Sequence, residues 1–125
     1  MNTNSALETC RDLQRGQLSA AELMAETYRR INLVNPQVNA LVNLVTEEQA
    51  MKEALKCDDM PVADRGPLHG LPMAAKDLIQ VKGLPTTMGF KPYAENIALE
   101  DDPLVARLRA AGAILIGHSN TPEFG

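Results

Sequence analysis

The sequence predicts an α/β fold, in which N-terminal helices precede the first strands and the first helix of a mixed sheet covered by helices. Three observations lead to this prediction. The first 65 residues contain Ser-x-x-Glu and Thr-x-x-Gln boxes ahead of helical apolar spacing. Residues 71–75 are a short apolar run between turn residues. Residues 102–116 combine a helical pattern, a glycine and an apolar strand, which is typical of α/β proteins.

Two capping boxes predict the first two helices. The box at residues 5–8 opens a helix that is expected to run to about Arg15 and to stop at the following glycine. The box at residues 19–22 opens a longer helix, which Asn35 and Pro36 are expected to close. The expected apolar face of the second helix comprises Ala20, Leu23, Thr27, Ile31 and Val34.

A third box, at residues 46–49, predicts another helix after a stretch that is either a short strand or an extended connection (residues 38–45). Its expected buried stripe comprises Ala50, Met51, Ala54 and Leu55. Residues 58–67 are rich in Asp, Pro, Arg and Gly, which predicts a loop. We therefore expect a helical leader (1–65) and the start of an α/β core (66–125) within one domain.

The second half alternates strand and helix patterns. The strand at 71–75 is expected to end at Lys76 and Asp77, or to continue through residues 78–81, before an ordered loop at residues 84–100. Asp102 and Pro103 predict a helix start, and Gly112 its end, ahead of a strand at residues 113–116. The expected inward face of this helix comprises Leu104, Val105, Leu108 and Ala111, with Arg107 and Arg109 outward.

The last residues predict a further helix start. Thr121, Pro122 and Glu123 form a capping residue, a proline and an acidic first turn. Two or three strands alone would leave long sheet edges open. We therefore expect the chain to be the N-terminal part of a larger domain, whose remainder beyond Gly125 is its partner.

Composition excludes several classes of function. The chain has 125 residues, a net charge of −4 and 3% aromatic residues, without a basic patch, which argues against direct binding of nucleic acid. No apolar run of membrane length or signal sequence is present, and Cys10 and Cys57 are expected to be free thiols in a reducing cytoplasm. His69 and His118 lack ligand-spaced neighbours, so neither a metal nor a cofactor is predicted.

Lys76 is the candidate catalytic residue. It ends a short apolar segment between Gly/Pro turns. Burial there would disfavour the charged form of a lysine, and a neutral amine is a competent base. Asp77 is expected to point to the other face of the strand, because neighbouring side chains alternate. The alternative is a surface lysine that pairs with Asp77.

The motifs around Lys76 closely resemble the amidase signature family. The resemblance is carried by residues 66–77 (GPLHGLPMAAKD), 83–87 (GLPTT), 101–113 and 117–125 (GHSNTPEFG), and the helical leader is similar too. It implies an amide hydrolase that uses a Ser–Ser–Lys triad on a small-molecule amide, with Lys76 as the lysine. Both serines of the family lie in a downstream region, and Ser5, Ser19 and Ser119 are not substitutes. By that reasoning the chain taken alone is inactive.

Two alternatives stay open at this stage. Within the family, the runner-up is the glutaminase subunit of a tRNA-dependent amidotransferase, which shares the same motifs. Outside the family, the alternative is an inactive truncated remnant or a binding fragment. His69 is expected to be a satisfied structural histidine, and His118, where the family often has lysine, to face solvent or anchor a loop. Asn120 and Glu123 either support the site or cap a loop. Residues 86–89 either line a substrate pocket or form a turn.

Overall fold

The structure is a computed structural model that describes residues 4–125. Within this range the chain forms four α-helices, three strands and two short 3-10 turns. In chain order the main elements are α1 (Ala6–Arg15), α2 (Ala20–Val38), β1 (Leu41–Val42), α3 (Glu47–Asp58), β2 (Pro72–Lys76), α4 (Pro103–Ala110) and β3 (Ile114–Ser119). The 3-10 turns are Val62–Asp64 and Lys91–Tyr93.

The three strands form one mixed sheet in the order β1-β3-β2. The central strand β3 runs antiparallel to β1 and parallel to β2. In this register Ser119 lies opposite both Leu41 and Lys76. The predicted α/β class with a mixed sheet is therefore confirmed, and residues 38–45 of the helical leader contribute a strand to it.

All three predicted capping boxes are formed. The side chains of Ser5, Ser19 and Thr46 each accept a hydrogen bond from the backbone N–H three residues later. The Glu or Gln side chain at that later position reaches back to the N–H of the capping residue. Each box satisfies N–H groups that have no partner inside the helix, so α1, α2 and α3 each begin at a local cap.

One prediction for α2 is wrong, and another holds only in part. The helix continues through Pro36 and ends at Asn39, which takes a left-handed conformation with φ 48°. Pro36 lies in the last turn, where its missing N–H removes a single helical hydrogen bond. The buried residues of α2 are Ala20, Met24 and Tyr28, whereas Val34 is 38% exposed. The predicted Leu23 and Ile31 do pack against this core, and the face is widened by Met24 and Tyr28. These two large side chains pack in the same core as the small Ala50 and Ala54 of α3.

The buried faces expected for α3 and α4 are correct only in part. On α3, Ala50 and Ala54 are buried as predicted, but Leu55 is 52% exposed. On α4, Val105 is buried whereas Leu104 is largely exposed, since only one side of this short helix meets the sheet. Arg109 does not turn freely outward: its Nε lies 3.0 Å from a carboxylate oxygen of Asp101.

The strand predictions are also adjusted. Residues 78–81 do not continue β2, because the N–H groups of Leu78 and Ile79 both turn back to the carbonyl of Lys76. Strand β3 extends beyond the predicted run to Ser119. Residues 122–124 form a turn and not the predicted helix start, with the N–H of Gly125 bonded to the carbonyl of Pro122.

The sheet has an apolar core on each face. One core joins α2 and α3 to Ile114 and Ile116 of β3. The other joins α4 and Val81 to Ala75 and Leu115. Alternate residues of β2 and β3 thus face opposite layers, which decides where the side chains at the ends of these strands point.

Candidate active site

Lys76 is the last residue of β2, at the edge of the sheet where the two parallel strands both end. The N–H of Asp77 donates to the carbonyl of Ser119 at 3.1 Å, which joins the end of β2 to the end of β3. The carbonyl of Lys76 accepts from the N–H groups of Leu78 at 2.7 Å and Ile79 at 2.9 Å. The backbone at Lys76 is therefore fixed on both sides.

The side chain of Lys76 is exposed, so the predicted desolvation is wrong for residues 4–125. No salt bridge or side-chain hydrogen bond described in this range involves its amine. The alternative pairing with Asp77 is also wrong, because Asp77 is only 2% exposed and lies on the other face. The predicted alternation of these two neighbours is confirmed, and it leaves the amine of Lys76 exposed.

Asp77 is the centre of a buried polar cluster. One carboxylate oxygen, Oδ1, accepts from the backbone N–H of Thr87 at 2.9 Å and lies 3.6 Å from Nδ1 of His118. The other, Oδ2, accepts from the hydroxyl of Thr87 and from Nδ2 of Asn43 at 3.3 Å. The carboxylate thereby ties together residues from β3, the segment after β1 and the loop after β2.

His118 lies fully buried beside Asp77. Its Nε2 is 2.9 Å from the carbonyl of Ile79, which can only accept, so this nitrogen carries a proton. Its Nδ1 is 3.4 Å from Nδ2 of Asn43. The expectation that His118 faces solvent is wrong, because β3 extends further than predicted, and the expectation that it anchors a loop is confirmed.

The loop at residues 86–90 lines a cavity of about 270 Å³ next to this cluster. The N–H of Met88 donates to the carbonyl of Asp77 at 3.0 Å, and Met88 takes a left-handed conformation with φ 54°. Asn120 also lines the cavity; it donates to the carbonyl of Asn39 and accepts from the next N–H, as a loop cap does. Three rings, those of Phe90, Tyr93 and Phe124, contact one another nearby.

His69 lies at the opposite end of the sheet, beside a second cavity of about 420 Å³. It is buried, and its Nε2 has no hydrogen-bond partner in residues 4–125, so the prediction of a satisfied histidine fails at this nitrogen. Burial, and then the positive charge of Arg65, lower the pKa of His69. Burial, followed by the charge of Asp58, raises the pKa of the nearby Cys57 thiol. This thiol is therefore a poor nucleophile.

Two further observations bear on the chemistry. Within the described range, no three His, Cys, Asp or Glu side chains converge in a way that could hold a metal ion. None of the helices between residues 4 and 125 has the length and apolar character needed to cross a bilayer. Cys10 and Cys57 are both free.

The sequence placed Lys76 but missed the cluster on the other face of β2. Alternation predicted that Asp77 points away from Lys76, and the shared edge of parallel strands places residues 118 and 119 nearby. No sequence pattern indicated that Asn43 belongs to the cluster, because its position depends on the path of the chain after β1. Thr87 lies in the segment at residues 86–89, for which the sequence left undecided whether it lines a pocket or forms a turn.

A domain portion with these elements matches one family of hydrolases. The family model described as Amidase matches residues 22–125, and the chain belongs to the amidase signature family. It is 42% identical over 123 residues to an acylamidase of Rhodococcus erythropolis, covering 97% of this chain and 26% of that protein. It is 37% identical to a glutamyl-tRNA(Gln) amidotransferase subunit of Rhodopirellula baltica, covering 97% of this chain and 24% of that protein.

A solved structure agrees with the sequence comparison. The native peptide amidase from Stenotrophomonas maltophilia superposes with a TM-score of 0.84 at 29% identity, over 98% of this chain and 26% of that one. The chain thus spans about a quarter of the length of the relatives it matches. The family and the fold follow from these matches, and relatives in the family are amide hydrolases.

Proposed function

We propose that this chain supplies the base of an amide hydrolase site, with Lys76 as the lysine of a Ser–Ser–Lys triad. One observation supports the proposal above the others: the exposed amine of Lys76 stands at the common end of two parallel strands, on a backbone fixed by hydrogen bonds. In open α/β sheets this carboxyl edge is where ligands bind. A base placed there is both accessible and precisely held by the sheet.

In the proposed reaction the oxygen of one serine attacks the amide carbonyl carbon. The proton of this serine passes to a second serine, which gives its own proton to neutral Lys76. The carbon–nitrogen bond then breaks, and the amine leaves with the proton that Lys76 returns. Water adds to the resulting ester and loses a proton along the same route, which releases the carboxylic acid and regenerates the serine. Lys76 acts as general base and then as general acid.

We propose that both serines come from segments of the domain outside these 125 residues. Ser5 and Ser19 are occupied as helix caps, since each accepts from the N–H of a glutamate. Ser119 lies opposite Lys76 in the sheet register, which makes it the one local serine that needs an experimental test. The covered share of the relatives, about a quarter, is consistent with serines supplied elsewhere.

The test is hydrolysis by the full protein that carries this chain, assayed on simple aliphatic and aryl amides by release of amine or acid. Lys76→Ala is expected to lower kcat by about 10²- to 10⁴-fold, the contribution of a general base. Lys52→Ala is the matched control, because Lys52 pairs only with Glu48 on the exposed side of α3. Ser119→Ala is expected to retain activity. Retained activity in Lys76→Ala would refute the role of Lys76.

The second candidate is the glutaminase subunit of a tRNA-dependent amidotransferase, favoured by the amidotransferase relative from Rhodopirellula baltica. Ammonia release from glutamine that depends on added partner subunits would select it over a stand-alone amidase. An intact protein that cleaves no amide under either condition would indicate the remnant or binding fragment. We also propose a cytoplasmic location, which the free thiols Cys10 and Cys57 favour.

A further inference from the structure

We propose that Asp77 and His118 are positioning residues for Lys76: from the opposite face of β2 they hold the turn that fixes where the lysine backbone lies. This inference rests on the proposed function, in which Lys76 is the base. It concerns two side chains that no part of the proposed proton route uses. Their burial and their contacts carry it.

The first step is that the amine of Lys76 has no contact of its own in residues 4–125 that fixes its place. Its position therefore depends on its backbone and on what surrounds the turn that follows. The turn is formed by the carbonyl of Lys76, which accepts from Leu78 and Ile79. A displacement of this turn displaces the base, and errors of about 1 Å in catalytic geometry cost about 10²-fold in rate.

The second step is that His118 holds the turn from the neighbouring strand. Its Nε2–H donates to the carbonyl of Ile79 at 2.9 Å, across 39 positions of sequence. The ring is fully buried, so water cannot replace this bond without a rearrangement of the core. One side of the turn after Lys76 is thereby tied to β3.

The third step is that Asp77 holds the loop that covers the turn. Both hydrogen-bond donors of Thr87 point at its carboxylate, and the backbone carbonyl of Asp77 accepts from Met88. A carboxylate that only accepts suits the ionised form. His118 is the one ionisable side chain of the described range that lies within ion-pair distance of this carboxylate, with its Nδ1 3.6 Å from Oδ1.

The fourth step is that the cluster has no spare donors. Nδ2 of Asn43 carries two hydrogens and lies near three acceptors: Oδ2 of Asp77 at 3.3 Å, the carbonyl of Pro85 at 3.2 Å and Nδ1 of His118 at 3.4 Å. Loss of the Asp77 carboxylate removes the acceptor of both donors of Thr87, and loss of the His118 ring removes the donor to the carbonyl of Ile79; part-buried polar groups left unpaired in this way are costly. The cluster is therefore expected to respond as a unit to substitution at either Asp77 or His118.

The experiment compares variants of the full protein by kcat and KM, with active sites counted from the burst of the first acylation. His118→Leu and Asp77→Leu are expected to lower kcat per active site by about 10- to 100-fold, with KM changed less. His118→Gln keeps an N–H donor for the carbonyl of Ile79 and is expected to recover part of kcat. Thr87→Val removes one donor to Asp77, whereas Thr87→Ser keeps both and serves as its control.

A second readout does not depend on activity. The rate at which an amine-reactive acetylating reagent modifies Lys76, followed by mass spectrometry, is expected to change several-fold in His118→Gln and Thr87→Val. The rate at Lys52, which pairs with Glu48 and has no contact with the cluster, is expected to stay constant. These mild variants are chosen because the leucine variants risk misfolding.

The outcomes separate the two proposals. If Lys76→Ala is inactive while kcat per active site and Lys76 labelling are unchanged in His118→Gln and Thr87→Val, the positioning role is refuted and the base role stands. If these variants lower only the number of active sites and leave kcat per active site unchanged, Asp77 and His118 are merely structural and the inference is refuted. If Lys76→Ala stays active, the proposed function fails and the positioning role in catalysis fails with it, whatever the labelling shows.

Discussion

In residues 4–65 the capping boxes at the helix starts join groups three positions apart, with one long-range cap added at α2, whereas around Lys76 the hydrogen bonds join groups far apart in the chain. The boxes at Ser5 and Ser19 are of the first kind. The contacts of Asn43 with Asp77 and His118 span 34 and 75 positions. The helix starts of the leader are thus specified mainly by neighbouring residues, whereas the site depends on contacts that exist only when the whole sheet has formed.

The difference indicates how each region should respond to substitution. A lost local cap weakens one helix end by about 1 kcal/mol, because water can replace the acceptor. A lost long-range contact in a buried place leaves its partners unsatisfied or forces backbones apart, and costs more. Substitutions of the two kinds are therefore expected to differ in how much free energy of unfolding they cost.

The largest effect is expected at Gly112, which connects α4 to β3 with φ 101°. An added Cβ would lie 2.7 Å from Cα of His69, so the two backbones must move apart. Together with left-handed strain, Gly112→Ala is expected to lower the free energy of unfolding by about 2–5 kcal/mol. Urea unfolding of the two proteins measures the change.

Gly83→Ala is the matched control. Gly83 is also left-handed, with φ 85°, but an added Cβ would meet nothing within 4 Å. Only the strain term applies, and the expected loss is about 1–2 kcal/mol. Equal losses in both variants would contradict the importance of the close approach at His69.

A smaller effect is expected at Asp58, which caps the start of α2 from the end of α3. Its carboxylate accepts from the N–H of Ala20 at 2.6 Å and of Ala21 at 3.0 Å. Because hydrogen bonds to a charged group are stronger than neutral ones, Asp58→Ala is expected to cost about 1.5–3 kcal/mol. Thermal and urea unfolding are the measurements, and Asp58→Asn should recover part of the loss.

Ser19→Ala removes the local cap of the same helix end. Ser19 accepts only from the N–H of Glu22, at 3.0 Å, in an exposed position. The expected cost is about 1 kcal/mol. If Ser19→Ala costs more than Asp58→Ala under the same conditions, the contrast between local and long-range contacts does not hold for α2.

The smallest effect is a dependence on pH through His69. Its pKa in the folded protein lies below the ordinary value of 6.5, chiefly because it is buried. The folded state therefore favours the neutral ring, and this contribution is fully present above about pH 6.5 and is lost as the pH falls toward the folded pKa. Urea unfolding between about pH 5 and 7.5 should show a shallower decline in His69→Gln than in the natural sequence.

Much of the fold was predictable because the sequence patterns that specify it involve only neighbouring residues. The three capping boxes, the Asp102–Pro103 helix start and the apolar runs of β2 and β3 act within a few residues, and the structure contains all of them. The mistakes arose where tertiary packing overrides the local pattern. Met24 and Tyr28 of α2 face the core because of what α3 presents to them, which no spacing within α2 reveals.

The candidate site was predictable only in part. Lys76 and the orientation of Asp77 follow from strand alternation, which depends on neighbouring residues. The surroundings of Asp77 follow from how residues 43, 87 and 118 meet, and this requires the register of the whole sheet. The exposure of Lys76 was mispredicted for the same reason, since burial depends on which elements cover a face and not on the apolar character of the strand.

The order of the strands has a consequence for synthesis on the ribosome. Strand β3 lies between β1 and β2 in the sheet, yet it is translated after both of them. Between Val42 and Ile114 a ribosome needs roughly 4 to 14 s at typical elongation rates. For that interval β1 has no partner strand, and β2 has none for the roughly 2 to 8 s between Lys76 and Ile114. Both then present unpaired backbone edges to chaperones or to neighbouring nascent chains.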